Sequence, residues 1–514
     1  MPPDTPSITL PSWAPTLPTP LTTPLLLLTA LTLWYLHSWH RLRSFPGPPL
    51  ASLSYLWMFL TWRHGSQAAL YGPLNERYAT PTTPRTVRIG PRDLLTDDPA
   101  LLRRMGAARS AYRRSNWYAP LRMDPYGAGL FSLTDNAAHD QLKGRLAFGY
   151  GGRENRGLEG DVDAVLGGLV RLLRGRYVGE GKKVDFARVV QFFTLDAITK
   201  IAYGEEFGFL ASDSDVYSAI GGAEVGIPFL VLMAEMPLLG RIFTQPWLVK
   251  LLGPKKTDAG GMGKILAIAE QVVAKRFGPD AKDQKDMLGA FVRHGVTQRQ
   301  CEIEVPFQLV AGSDTTATAI RGTMLHLGVT RHAYTKLQEE IDTAVTEGRI
   351  SSPITNEEAK KLEYLQAVIY EGLRMQIPFS GLLMKEVPPE GDTIDGIFVP
   401  GGTRIGHNTQ GIMRRRDIFG DDADIFRPER WLNISPGKRQ EMVQTTELVF
   451  GYGRWGCLGK PVAFLELNKV YVELLRRFDF EILYPNRPWH EKNYNMFFHS
   501  ELWMRVTDRA EKTH

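Results

Sequence analysis

One cysteine stands in a glycine-rich stretch directly before an apolar helical pattern. The stretch is FGYGRWGCLG, Phe450 to Gly459; it contains Cys457, and Cys301 is the only other cysteine. A helix start stabilises a thiolate, and glycines let a flat ligand lie close to the backbone. One thiolate suits a single axial bond to a metal, whereas zinc takes three or four protein ligands. An inert buried thiol and a nucleophilic cysteine with a distant histidine are the alternatives.

A second stretch places polar residues inside an apolar helical pattern. The stretch AGSDTT, Ala311 to Thr316, interrupts a pattern that runs from Val305 to Leu327. Gly312 weakens a helix, and the Ser and Thr hydroxyls compete for backbone carbonyls. Such a local conflict is expected where function overrides stability. A helix cap or a solvated turn is the alternative.

Three charged residues are placed so that they could join a helix to a later irregular stretch of the chain. Glu371 and Arg374, in EGLR, share one face of a predicted helix. Arg430 follows in FRPERW, an irregular stretch with a proline, and a salt bridge from it would fix that stretch to the helix. The alternative is a solvated surface pair that contributes little to stability.

Composition limits the class of protein. Of the 514 residues, 43% are hydrophobic and 23% are charged, as is typical of a globular protein. The formal net charge is only +5 and basic runs such as Arg414–Arg416 are short, so no nucleic-acid partner is expected. Two cysteines cannot form a disulfide framework, so we expect the folded part in a reducing compartment.

The N-terminus has the features of a membrane anchor. Residues 1–20 form a short polar segment without Lys or Arg, and residues 21–39, LTTPLLLLTALTLWYLHSW, are mostly apolar. At about 1.5 Å per residue the second segment spans roughly 28 Å, close to the thickness of a bilayer core. Residues 40–50 form a basic, proline-rich hinge, which places that end of the segment in the cytosol. We predict a single-pass transmembrane helix followed by one domain, residues 51–514; a cleaved signal peptide is the alternative.

The rest of the chain is predicted to be mostly α with small β-sheets, an α+β fold. Apolar residues recur at three- and four-residue steps in Phe186–Gly204 and in His332–Val345, which indicates helices. Short strand-like pieces occur at Thr86–Pro91 and within Thr393–Asn408, where glycines indicate turns.

Taken in order, these stretches resemble the motifs of the cytochrome P-450 haem-thiolate monooxygenases. The resemblance covers the chain after the anchor, implies the cytochrome P-450 fold, and in its details is nearest to filamentous-fungal members of the pisatin demethylase-like sort. Four motifs are complete: Phe450, Gly453, Cys457 and Gly459 in F-x-x-G-x-x-x-C-x-G, Glu371 and Arg374 in E-x-x-R, Pro428–Arg430 in P-E-R, and Ala311–Thr316 in (A/G)-G-x-(D/E)-T-(T/S).

The resemblance implies roles around a haem b cofactor. Cys457 would be the axial thiolate ligand of the iron, and Phe450 would pack near the thiolate and tune its potential. Gly453 and Gly459 would shape the shelf on which the porphyrin lies.

The resemblance also implies roles away from the iron ligand. Asp314 and Thr315 would form the acid–alcohol pair that relays protons during oxygen activation, and Gly312 would loosen the helix and make room for oxygen and water. Glu371, Arg374 and Arg430 would form a structural triad behind the cofactor.

Two positions depart from the family's pattern. Many members carry Arg or His two residues before the cysteine, to pair with a haem propionate, where this chain has Trp455, preceded by Arg454. The family's W-x-x-x-R pattern is replaced by His139 and Lys143, which share a helix face and could bind propionates through N–H groups or charge. An exposed, solvated His and Lys is the alternative, and the role of Trp455 is open.

The substrate is expected to be an apolar or amphiphilic small molecule of natural-product size. The segments that the resemblance places around the substrate are largely aromatic and aliphatic, although a core role would explain them as well. They are Trp117–Phe131, Ile227–Leu239, Phe307 with Val310, Ile377–Met384 and Met496–Phe498.

The resemblance implies partners as well. Electrons would come from an NADPH-cytochrome P-450 reductase, with cytochrome b5 as a further donor, because no G-x-G-x-x-G opens a βαβ unit here. A docking face for the reductase is predicted from Arg414–Arg416, Lys438–Arg439, Arg454 and Lys460, and an ordinary solvated surface is the alternative. Membrane lipid is a further partner.

We therefore predict a monooxygenase of specialised or detoxifying metabolism in the endoplasmic reticulum membrane, with its catalytic domain in the cytosol. A redox-neutral haem-thiolate isomerase and a non-catalytic haem-binding protein are the alternatives, and the intact pair Asp314–Thr315 disfavours both.

Overall fold

Helices make up most of the described chain, and the longest runs through its interior. A computed structural model describes residues 22–80, 83–152, 154–155 and 157–509. The predicted polar segment, residues 1–20, lies outside the described residues.

The helices are numbered in chain order. They are α1 (Thr22–Arg41), α2 (Pro49–Leu53), α3 (Leu56–His64), α4 (Gln67–Tyr71), α5 (Leu74–Tyr78), α6 (Pro99–Gly106), α7 (Asn136–Tyr150), α8 (Leu158–Leu172), α9 (Phe186–Tyr203), α10 (Phe209–Ser212), α11 (Ala219–Glu235), α12 (Pro237–Phe243), α13 (Pro246–Leu252), α14 (Gly261–Ala274), α15 (Met287–Arg293), α16 (Gln298–Val329), α17 (Arg331–Thr346), α18 (Asn356–Ala359), α19 (Glu363–Met375), α20 (Thr409–Ile412), α21 (Arg416–Phe419), α22 (Pro436–Thr446) and α23 (Lys460–Leu475). Short 3₁₀ helices cover Asn116–Tyr118, Val216–Ser218, Pro428–Trp431, Glu447–Phe450 and Gly453–Trp455, and a π-helical turn covers Leu173–Tyr177.

The strands are short. They are β1 (Val87–Gly90), β2 (Asp93–Thr96), β3 (Arg113–Arg114), β4 (Val184–Asp185), β5 (Lys385–Glu386), β6 (Asp392–Ile394), β7 (Ile397–Val399), β8 (Arg404–His407), β9 (Phe478–Ile482), β10 (His490–Tyr494), β11 (Met496–Ser500) and β12 (Trp503–Asp508).

The strands form small sheets around the helices. The largest has five strands in the order β1-β2-β8-β5-β3, and within it β2 pairs in parallel with β8, with Asp93 opposite Arg404. A second sheet has the order β4-β12-β9, and β6–β7 and β10–β11 form hairpins. The predicted class, mostly α with small β-sheets, is confirmed.

Helix α16 is capped and enclosed, so it runs through the polar motif without interruption. The Thr297 hydroxyl accepts from the Gln300 N–H, and the Gln300 side chain accepts from the Thr297 N–H. Helices α9, α14 and α19 pack around α16, which explains why apolar residues are needed on all its sides. This packing puts Ala311–Thr316 inside the protein.

The described part of the predicted N-terminal anchor, from Thr22 onward, is helical, but its composition is mixed. Helix α1 exposes its leucines, and its last turn is fixed to the domain, because Arg41 donates to the Gly401 carbonyl at 2.9 Å. Within the described ranges, the helix long and apolar enough to cross a membrane is Val216–Glu235. The His, Ser and Thr residues of α1 lower its mean hydropathy. Residues 219–235 of the other segment form α11, which packs on α12 and α14.

Candidate functional site

A cavity of about 300 Å³ lies between α16 and the cysteine stretch. Each segment that the sequence predicted for the substrate pocket reaches this cavity with at least one side chain. Examples are Tyr118, Phe131, Val231, Phe307, Phe379 and Met496. The aromatic rings are in contact, since the centroids of Phe131 and Phe307 lie 5.0 Å apart.

The cysteine stretch folds into a tight loop that exposes the Cys457 side chain to the cavity. The Cys457 N–H donates to the Phe450 carbonyl at 2.7 Å. Gly453 has φ of +54°, and a Cβ there would lie 2.3 Å from the Gly106 carbonyl oxygen. Gly453 is thus required by the turn, whereas Gly459 lies beside the sulfur, where a Cβ would be 3.7 Å from Sγ. A loop of this shape needs the glycines that the sequence supplies.

The thiol of Cys457 is subject to opposing influences. Burial raises the pKa of the thiol. Two influences lower it: the backbone N–H groups of Gly459 and Lys460 at the start of α23, and the ammonium charges of Lys143 and Lys460. Burial is the larger influence, so the net shift of the pKa is upward. A metal ion on the sulfur would reverse this balance, because a coordinating thiol is deprotonated.

Phe450 and Lys143 hold the loop from two sides. The Phe450 ring lines the cavity and packs against Phe464, with the centroids 5.4 Å apart. The Lys143 ammonium donates to the carbonyls of Arg454 at 2.6 Å and Gly456 at 2.8 Å. The Lys143 ammonium group is therefore hydrogen-bonded to the backbone of the loop at the edge of the cavity.

Trp455 lies beside two basic side chains, Arg114 and Lys385, at the cavity wall. The Arg114 guanidinium lies 4.7 Å from the Trp455 ring, and the Lys385 Nζ donates to the Tyr118 hydroxyl at 2.6 Å. His139 packs against Trp455 in a tilted arrangement, with the centroids 4.6 Å apart and 55° between the ring planes. Burial, and then the charge of Arg114, lowers the pKa of His139 to about 4, so its ring is neutral near pH 7.

Sequence reasoning missed Arg114 and Lys385. They come from strands β3 and β5, which are far apart in the chain and pair with Arg114 opposite Lys385. A basic residue directly after the apolar run SGLLM was the available signal for Lys385.

The polar motif of α16 divides between two environments. The Thr315 side chain lines the cavity, and its hydroxyl donates to the Ala311 carbonyl at 2.7 Å. Gly312 also faces the cavity, and a Cβ there would lie 2.7 Å from the Ile198 side chain. The helix stays continuous at Gly312, so the missing side chain accommodates Ile198.

Asp314 faces away from the cavity, towards α9. Its carboxyl group accepts a short hydrogen bond from Gln191, whose amide oxygen accepts from Arg321 at 2.7 Å. Burial raises the pKa of Asp314 to about 7, although the charge of Arg321 opposes the shift. The structure does not bring Asp314 and Thr315 together at the cavity, because Thr315 lines it whereas Asp314 is held by Gln191 of α9.

Glu466 is a second acid that the sequence reasoning missed. It lies on α23, lines the cavity and is 2% exposed. Burial raises its pKa to about 8, and the neighbouring Thr316 side chain opposes the shift. Its Oε2 has no partner within the ranges that the structure describes.

Glu371, Arg374 and Arg430 meet in a fully buried network. Arg374 makes two hydrogen bonds to the Glu371 carboxylate, at 2.9 and 2.8 Å, and Arg430 donates to it at 2.9 Å. Burial would raise the pKa of Glu371, but these guanidinium groups hold it below its usual range. Arg374 also binds the Met413 carbonyl at 2.8 Å, so the network orders the irregular stretch before the cysteine loop.

The basic residues predicted as a docking face differ in whether their charged groups are exposed at the surface. Arg414 points inward and donates to the carbonyls of Arg374 and Met375 at 2.8 Å. Arg416 and Lys438 are partly exposed, each beside an acidic group. Lys460 pairs with Glu447 at 2.7 Å.

The residues around the cavity fit a haem group. The Nε of Arg114 and the Nε1 of Trp455 are buried without hydrogen-bond partners in the described part of the chain. Both residues line the cavity that the Cys457 thiol also reaches. Anionic propionates would satisfy these donors, and a single thiolate would serve as the axial ligand.

A mostly helical protein with one thiol and two unpartnered N–H donors at an apolar cavity has the features of the haem-thiolate enzymes. The family model "Cytochrome P-450" matches residues 100–501. Cytochrome P-450 monooxygenase ABA1 of Pyricularia oryzae is 52% identical over 93% of this chain and 94% of its own length. Cytochrome P-450 monooxygenase aba1 of Botryotinia fuckeliana is 43% identical over 91% of this chain and 92% of its own length. The chain belongs to the cytochrome P-450 family and is an oxidoreductase of the monooxygenase class.

Proposed function

We propose that the protein is a membrane-anchored monooxygenase that uses haem b, dioxygen and reductase-supplied electrons to oxidise an apolar small molecule in fungal specialised metabolism. The observation that carries the proposal is that Cys457 and Thr315 line one apolar cavity with cationic residues in its wall. The domain boundaries predicted from the sequence belong to this proposal: anchor 21–39, hinge 40–50 and catalytic domain 51–514.

Haem b would be held by residues of four elements. Cys457 would ligate its iron, with Gly453 and Gly459 shaping the loop around the ligand. Arg114, Lys385 and Trp455 would bind the propionates, beside the neutral ring of His139. When bound, the group supplies the activation of dioxygen, and the thiolate favours O–O cleavage.

The chain's own residues would supply protons. The Thr315 hydroxyl, which now donates to Ala311, would turn into the cavity and act as the last donor. Asp314 holds a proton near pH 7 at a carboxyl group bound to Gln191. It would reload Thr315 after releasing Gln191.

The cavity wall selects an apolar substrate. Phe131, Phe307 and Phe379 form an aromatic belt, with the centroids of Phe131 and Phe379 6.5 Å apart. The relatives named above are fungal enzymes, which supports a role in fungal specialised metabolism or in detoxification.

Electrons would come from an NADPH-cytochrome P-450 reductase, with cytochrome b5 as a further donor. The partly exposed Arg416, Lys438 and Lys460 would contribute to its docking face. Arg414 is excluded from that face, because its guanidinium is committed to backbone carbonyls.

Helix α1 would anchor the domain in the endoplasmic reticulum membrane, with the domain on the cytosolic side. Leu25, Leu26 and Leu33 are more than 60% exposed, an arrangement that suits lipid better than water. Leu238, Trp247 and Leu251 on α12 and α13 are similarly exposed and would rest on the same membrane.

The test is a comparison of fungal extracts with and without the gene, followed by turnover of the accumulated compound. We expect purified protein, reductase and NADPH to incorporate one atom of isotopically labelled dioxygen into that compound. Product formation without NADPH and reductase would contradict the proposal and favour a redox-neutral rearrangement.

A further inference from the structure

A carboxyl group lies in the apolar part of the cavity, well away from Thr315. Glu304 lines the cavity and is 3% exposed. It precedes Thr315 on α16 by about three turns, or roughly 16 Å. Acidic side chains are rarely buried unless they are paired, so this one needs an explanation.

One oxygen of Glu304 holds the loop before α7. Its Oε1 accepts from the Leu130 N–H at 2.6 Å, and Arg114 donates to the Leu130 carbonyl at 2.5 Å. Gly129 permits this approach, because a Cβ there would lie 2.9 Å from Oε1. The Leu130 peptide is therefore fixed on both sides.

The second oxygen of Glu304 is free. Within the ranges that the structure describes, the hydrogen bond formed by this carboxyl group is the one that the Leu130 N–H donates to Oε1. Gln308, one turn further along the same face of α16, is occupied, because it donates to the Tyr150 hydroxyl at 3.0 Å and accepts from the Tyr203 hydroxyl at 3.2 Å. Burial, opposed by the Leu130 N–H and Arg114, raises the pKa of Glu304 to about 7. A buried acid with one unfilled oxygen favours a ligand that donates a hydrogen bond.

We propose that Glu304 recognises a hydroxyl group on the substrate, at the end remote from the carbon that is oxidised. The substrate class is an elongated apolar alcohol whose hydrocarbon part lies against Phe131 and Phe307. This inference rests on the proposed function, and it makes Glu304 a specificity-determining residue.

The test is calorimetric binding of two probes to the purified full-length protein at about pH 8, above the pKa of Glu304. Decanol can donate a hydrogen bond, whereas decyl methyl ether can only accept one. We expect the wild type to bind decanol about tenfold more tightly than the ether, as one hydrogen bond to a charged group predicts.

The variant Glu304→Gln separates recognition from a purely structural role. Its amide oxygen can still accept from the Leu130 N–H, which leaves the NH₂ group facing the cavity, so the preference for decanol should fall to one or below. Glu304→Leu should also abolish the preference. Glu302→Gln, the same change two residues away and outside the cavity lining, should keep it.

A wild type without preference, or a Glu304→Gln variant with the wild-type preference, would overturn the proposal. Because the measurement needs no turnover, its failure is distinct from failure of the proposed function, which appears as missing incorporation of labelled oxygen.

Discussion

Two buried glutamates, one in the network with Arg374 and Arg430 (the scaffold) and one in the cavity wall, differ in whether they carry a negative charge. Glu371, behind the cysteine loop, is 0% exposed, and Glu466, in the cavity wall, is 2% exposed. Glu371 accepts from Arg374, Arg430 and Trp431, and its pKa is lowered. Glu466 has an unpartnered Oε2 in the described part of the chain, and burial raises its pKa to about 8.

The difference lies in the partners that each acid has. A buried charge is stable when guanidinium groups surround it, as around Glu371. An acid with few donors keeps its proton instead, as Glu466 and Asp314 do. The scaffold therefore holds fixed charges, whereas the region around α16 holds exchangeable protons.

The largest effect is expected from breaking the scaffold network. Glu371→Ala leaves Arg374 and Arg430 buried without their anion, which should lower the free energy of unfolding by about 3–5 kcal/mol. Urea unfolding measures this loss. The control Glu347→Ala removes an exposed partner of Arg349 and should cost at most about 1 kcal/mol. Equal losses of the free energy of unfolding in the two variants would mean that the buried network stabilises the fold no more than an exposed ion pair does.

The next effect concerns a proton rather than a fixed charge. Asp314→Asn should lower kcat about 100-fold, because a positioned acid contributes that much, while unfolding changes little. In the wild type, kcat should fall as the pH rises through about 7, where Asp314 loses its proton, and the variant should lack this limb. A pH profile of turnover on the accumulated compound checks both points; an unchanged limb in the variant would exclude Asp314 as the proton source.

The smallest effect is a pH dependence of stability. Between pH 4.5 and about 8 the folded state holds a proton on Glu466 that the unfolded state has lost, so this group lowers the free energy of unfolding as the pH rises. Glu466→Gln removes this contribution, so the variant should gain up to about 2 kcal/mol relative to the wild type from pH ~6 to pH ~8. Urea unfolding at both pH values measures the gain. A constant difference would mean that Glu466 is ionised throughout.

The two regions also differ in how far the sequence predicts them. The cysteine loop, Glu371 with Arg374, and α16 follow from local spacing, and the structure has each of these local elements. The cluster of Arg114, Lys385 and Trp455 depends on pairing between two-residue strands, for which local periodicity gives no signal.

The orientation of Asp314 does not follow from the spacing of residues within α16. Neighbouring residues on a helix point about 100° apart, yet two neighbours can share one wall, as Thr315 and Thr316 both line the cavity. Whether Asp314 also faces the cavity depends on the packing of α9 and on Gln191, which spacing within α16 does not encode. The anchor was hard to judge from composition because α1 mixes leucines with His, Ser and Thr.

The most direct test of the central claim is the carbon monoxide difference spectrum of the reduced protein. We predict a band at about 450 nm for the wild type. The control Cys301→Ala alters a buried cysteine outside the cavity and should show the same band. Cys457→Ala should lose that band. A band retained by Cys457→Ala, or absent from the haem-loaded wild type, would contradict thiolate ligation by Cys457.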